Sequence, residues 1–163
     1  MTIPERMKSR PTYGGLPVPF AVVIDHNGVP DFKITDVDRW HQCIREKLCA
    51  ICGERLDYWV WYIGGESCAE QGIYLDLAMH EECAFYSARA CPFLAEGRDY
   101  SEHVKAPAGY QATWKRHDVV KAAVLYASKR RRDQVEIVHN GSALAVKAGP
   151  EVERVQIYPE VKK

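Results

Sequence analysis

Apolar positions along this chain change their period several times, and each change marks an element. Residues 1–17 hold no sustained period and are punctuated by Pro4, Pro11, Gly14, Gly15 and Pro17, which predicts an extended arm over the surface. Val18 to Ile24 is apolar and β-branched, Asn27-Gly28 follows, and Val29 to Ile34 resumes the run. That arrangement predicts a hairpin over 19–25 and 29–34 closed by a type I′ turn. His26 reads as an exposed turn-flanking residue. Val37, Trp40, Ile44 and Leu48 then recur at helical spacing. They predict a helix over 36–48, opened by a Thr35 cap with Asp38 three residues on.

Leu56 to Ile63 (LDYWVWYI) is rich in aromatic and β-branched residues and predicts a strand. Gly64-Gly65 stops it, and a second strand is expected over 73–77, the two forming a hairpin. Tyr58, Trp59, Trp61 and Tyr62 have the composition of a base-stacking platform, but core packing is the expected use for half of them. His80 to Leu94 reads as a helix with a small-residue stripe at Ala84, Ala88 and Cys91, ended by Pro92. Glu81 and Glu82 in its first turn suit the positive end of the helix dipole.

Residues 95–110 are loop-like. Strands are expected at 113–114, 119–126, 134–139 and 142–147, the last pair joined by Asn140-Gly141. Gly149 to Val152 fits the start of a short final helix, while the alternation at Val155 and Ile157 fits a strand. The pattern as a whole predicts an α+β fold in three parts: an arm and hairpin over 1–35, a central module over 36–95, and a β-rich region over 96–163 packed on the same domain.

Composition narrows the class. The chain has 163 residues, 47% hydrophobic and 27% charged, which fits one globular domain. No apolar run reaches bilayer-spanning length and the N-terminus does not resemble a signal peptide. The expectation is a soluble protein of the cytoplasm. The formal charge is zero, yet residues 1–100 sum to −5 and residues 101–163 to +5. That asymmetry leaves room for a basic surface at Lys115, Arg116, Lys121 and the run Lys129, Arg130, Arg131 and Arg132. The run reads either as a solvated turn or as a phosphate-contacting patch.

The six cysteines change the picture most. All lie between Cys43 and Cys91, in a chain with no visible export signal, so a disulfide scaffold fits poorly. Cys49-Ala50-Ile51-Cys52-Gly53 is a C-x-x-C-G turn, and His80-Glu81-Glu82-Cys83 is an H-x-x-C pair. Two close pairs separated by one structured segment suit a tetrahedral zinc site. The turn converges two sulfurs, Gly53 is able to take positive φ, and His80 and Cys83 share one helix face. The expected cofactor is one structural zinc held by Cys49, Cys52, His80 and Cys83, with Cys68 or Cys91 as substitute ligands. A thioredoxin-like redox pair would need a strand before it and a helix after it, the reverse of the order here.

This combination of knuckle, expected hairpin and ligand-bearing helix resembles the treble-clef zinc fingers. The segments YGGLPVPF (13–20), LCxxCG (48–53) and HxxCAxxSARACPFL (80–94) also resemble a group of small proteins from actinobacteria and their phages. That likeness implies a phage or actinobacterial protein of the cytoplasm (the host's, if phage-encoded) holding one zinc, and it implies no activity.

Treble clefs include HNH-type nucleases, which need a hairpin histidine and a second metal. Residues 54–79 contain no histidine, so nuclease chemistry is disfavoured. No P-loop, G-x-S-x-G elbow or GxGxxG is present. The sequence therefore points to a non-catalytic zinc-stabilised binding protein acting on an unknown, possibly host, protein partner. Nucleic-acid binding through the basic C-terminal region is the alternative, and an HNH-like nuclease the second alternative.

Overall fold

The structure is a computed structural model that describes residues 1–91, 124–140 and 143–158. The expectations for Pro92, the 95–110 loop, the 113–114 strand, the Asn140-Gly141 turn, and Lys115, Arg116 and Lys121 fall wholly or partly outside those residues. The described chain is mixed α+β, with four small antiparallel sheets and three short α-helices. None of those helices is long and apolar enough to cross a membrane.

The first seventeen residues are more structured than a plain arm. Glu5–Met7 form a 3-10 turn that drives Met7 into the core at 2% exposure. Strands β1 (Thr12–Tyr13) and β2 (Leu16–Pro17) pair through Gly14 and Gly15, whose φ values are +58° and +81°. Two successive positive φ angles define the primed turn. It forms here, not at Asn27-Gly28.

The predicted hairpin is present, as β3 (Val22–Ile24) and β4 (Pro30–Thr35) with a bulge after Val22. Its turn is of a different kind. Only Gly28 is left-handed, at φ +80°. The Asp25 carboxylate accepts from the N–H groups of Asn27 (2.8 Å) and Val29 (2.9 Å), and Gly28 N–H donates to the Asp25 carbonyl. An aspartate bonding its own turn replaces the need for positive φ at Asn27.

Helix α1 (Val37–Glu46) follows, with Asp36 rather than Thr35 as its cap: the Asp36 side chain accepts from Arg39 N–H at 2.9 Å. A carboxylate is the better anion for the helix start. Trp40 and Cys43 are buried, while Val37 is left 59% exposed.

Strand β5 (Trp59–Gly64) forms as read, but not its hairpin. A helix absent from the sequence reading, α2 (Glu66–Gln71), intervenes, framed by Gly65 and Gly72. The next strand, β6 (Ile73–Tyr74), joins another sheet. Helix α3 (Glu81–Ala90) carries Ala84 and Ala88 on its buried side.

The C-terminal strands complete the sheets begun in the central module. Strand β7 (Leu125–Arg131) lies between β10 (Glu153–Ile157) and β5 and overlaps the end of the expected 119–126 strand, whose residues 119–123 fall outside the described residues. Trp61 sits opposite Lys129 and Tyr62 opposite Ser128. Strands β8 (Val135–Asn140) and β9 (Ala143–Ala148) pair as predicted, and β9 also pairs with β6. Residues 153–157 are strand, which decides against the helix at 149–152. One continuous core joins Trp61, Tyr62, Leu77, Met79, Ala84, Ala127 and Val146 with Cys49, Cys52 and Cys83.

Candidate metal centre

Two short stretches build the site. Lys47, with left-handed φ of 55°, ends α1 and aims the chain into the turn at Cys49. Cys49 N–H donates to the Glu54 carbonyl (2.8 Å), and Gly53 N–H to the Cys49 carbonyl (2.9 Å). Gly53 has φ +80°, and a Cβ there would stand 2.7 Å from Phe20 Cδ2. The turn is clamped from outside as well, since Phe20 N–H donates to Ile51 and Ala21 N–H to Ala50. Gly53→Ala combines left-handed strain with this clash and is expected to cost about 2–4 kcal/mol. A urea midpoint equal to that of wild type would contradict the steric account.

The second stretch is fixed by reciprocal backbone bonds between Trp61 and Met79, both 2.9 Å. That isolated bridge stands where a full hairpin between 56–63 and 73–77 was expected. It delivers His80 as the N-cap of α3 and Cys83 in the helix's first turn.

The donor atoms of Cys49, Cys52, His80 and Cys83 all lie within 4.8 Å of one another. Tetrahedral zinc–sulfur bonds of about 2.3 Å separate sulfurs by roughly 3.8 Å, which these distances accommodate. The four residues are 0%, 5%, 1% and 0% exposed. His80 Nδ1 faces Cys52 Sγ at 3.4 Å, and its Nε2 lies 3.0 Å from the Arg55 carbonyl. With the proton on Nε2 donated to that carbonyl, Nδ1 is left as the metal-binding nitrogen. Asp57 Oδ2 stands 3.9 Å from the same Nε2.

The protonation pattern is that of a cation site. Burial opposes ionisation of Cys49, but hydrogen bonds from Cys52 and Cys83 and from the backbone hold its thiol well below the ordinary range. The same sharing pushes Cys83 up. Burial lowers the pKa of His80, while its bonds to Cys52 and Arg55 raise it by more. A divalent ion binding here would displace these shared protons. Three thiols and one imidazole in a buried set fit zinc.

The remaining cysteines are free thiols outside the cluster. Cys43 is buried in α1, and burial, reinforced by Cys49, pushes its thiol up to about 12. Cys68 lies in α2 against Gly64, and Cys91 caps the end of α3. Neither replaces a ligand in this arrangement.

The described basic residues lie elsewhere, and all four make contacts within the protein. The run is not a solvated turn: Lys129, Arg130 and Arg131 belong to β7, and Arg132 follows it. Lys129 pairs with Glu153 at 3.2 Å and lies over the rings of Trp59 and Trp61. Arg131 forks onto Asp133, and Arg132 donates to the Leu56 carbonyl. Arg130 is only 4% exposed. It donates to the carbonyls of Gly149 and Ala69, to Tyr74 Oη and to Glu151. Of the aromatic residues, Trp61 and Tyr62 are buried, and Tyr58 and Trp59 are half exposed.

A mixed α+β chain with a Cys3His cluster able to hold a metal ion is the class this geometry defines. Compared with protein-family models, with curated proteins and with solved structures, the chain matches none.

Proposed function

We propose that this is a non-catalytic binding protein of the treble-clef type, folded around one structural zinc and acting through contact with another protein. The supporting observation is the closure of the donor set. All four ligand residues are buried, and the second imidazole nitrogen of His80 is engaged by a backbone carbonyl. A catalytic zinc keeps an open position for water or substrate, whereas a structural one fills all four. The phage or actinobacterial origin rests on the sequence likeness alone.

The nucleic-acid reading draws less support. Among its described residues, Lys129 and Arg131 are paired with carboxylates and Arg130 is buried. The test uses intact, zinc-loaded protein with mixed DNA and RNA across a salt series, with and without magnesium or manganese. Neither salt-dependent binding nor cleavage is expected, while capture from an actinobacterial lysate after nuclease treatment is expected to retain a defined protein. Steep loss of nucleic-acid affinity with salt would transfer the function to the alternative reading. Metal-dependent cleavage would establish the nuclease.

A further inference from the structure

We propose that Arg6 is a positioning residue for the metal centre, clamping together the two stretches that carry its ligands; this rests on the zinc reading above. The 3-10 turn anchored by buried Met7 places the Arg6 guanidinium between three carboxylates. Its Nη1 donates to Glu54 Oε2 at 3.0 Å and its Nη2 to Asp57 Oδ2 at 3.3 Å. Both acids follow the Cys49–Cys52 turn. Its Nε donates to Glu82 Oε1 at 2.8 Å, and Glu82 stands between His80 and Cys83. One cation therefore spans both ligand-bearing stretches through side chains adjacent to the ligands themselves.

The neighbouring contacts show what the clamp holds. The Glu54 carbonyl receives the Cys49 N–H, so fixing Glu54 fixes the entry to the knuckle. Asp57 lies 3.9 Å from His80 Nε2, beside the bond that orients the imidazole. Without a cation among them, Glu54, Asp57 and Glu82 would repel one another and push the two stretches apart. Arg6 is 33% exposed and its partners 46–62%, so each pair alone would contribute little. The fork shape lets one side chain hold all three at once, which a lysine ammonium does poorly.

A bare charge effect would work in the opposite direction. Removing a positive charge beside a cation site raises the site's attraction for zinc. A clamp lost should instead free the metal. The two accounts separate in chelator-driven zinc release followed with a coloured chelator, on protein loaded with one zinc. Arg6→Gln and Arg6→Lys are both expected to release zinc about ten-fold faster, the lower end for partners just outside the ligand shell. Lys8→Gln, removing an exposed cation that pairs with Glu5 among the described residues, serves as the control and is expected to match wild type. Raising salt from roughly 0.05 to 0.5 M should speed release from wild type towards the rate of Arg6→Gln, whose own release is not accelerated because salt there screens only the repulsion among the three carboxylates. Packing alone would give no such salt dependence. Wild-type release rates in Arg6→Gln would overturn the proposal, as would slower release in Arg6→Gln together with wild-type behaviour in Arg6→Lys. Wild-type protein that binds no zinc would overturn the site itself, a distinct result.

Discussion

Chelating the metal from the purified protein should abolish its cooperative unfolding transition, not merely lower the melting temperature by a few degrees. The four donors come from two distant stretches and are buried, the three cysteines within the same core cluster as Leu77, Met79, Ala84 and Trp61. Without an ion, that core would contain three thiols and an imidazole whose protons are shared uneasily. Zinc binding in comparable small sites contributes an apparent 10–16 kcal/mol, of the same order as the whole net stability of an ordinary domain, about 5–15 kcal/mol. Cys52→Ser should have nearly the same effect as chelation, since a serine hydroxyl is a poor substitute for a thiolate. His26→Ala, on an exposed turn, should leave one zinc per chain. Metal content by elemental analysis and a circular-dichroism melt decide the matter. A Cys52→Ser protein that keeps its zinc and its melting curve would refute the assignment.

The second large effect is expected at Arg130. Arg130→Ala should destabilise the protein by about 3–5 kcal/mol, since several buried groups lose a charged donor at once. The guanidinium joins α2 through the Ala69 carbonyl, β6 through Tyr74, and the segment before β10 through Gly149 and Glu151. Removing it takes a donor from the Ala69 and Gly149 carbonyls and from Tyr74 Oη, while Glu151 keeps Ser128 at 2.6 Å and Arg154 at 2.8 Å. Arg131→Ala, whose partner Asp133 is exposed, should stay within about 0.5 kcal/mol of wild type. Urea titrations of both variants give the comparison. If Arg130→Ala were fully stable and instead lost affinity for nucleic acid, the basic run would have to be read as a contact surface.

That contrast shows what the sequence discloses and what it hides. The Cys3His cluster was legible because C-x-x-C-G and H-x-x-C are local spacings, and local geometry brings each pair together without reference to the rest of the fold. The hairpin of β3 and β4 and the pair β8–β9 were legible for the same reason. Which strand neighbours β5 was not, because its partner β7 lies far along the chain and nothing in LDYWVWYI names it. Helix α2 escaped notice because ESCAEQ is a six-residue piece between glycines, too short to show a helical period. Four consecutive basic residues carry no inside-outside pattern, so Arg130 could not be told from its neighbours until Tyr74 and Glu151 were seen around it.

The pairing of β5 with β7 and of β6 with β9 has a consequence for biosynthesis. As the polypeptide leaves the ribosome, the half carrying the Cys3His cluster emerges first, with Trp61 and Tyr62 on a strand whose neighbour has yet to be translated. Until Leu125–Arg131 follows, that strand offers bare backbone to any other nascent chain. Early capture of the ion would give this half a compact shape while it waits, and zinc-starved cells should therefore accumulate the protein as aggregate.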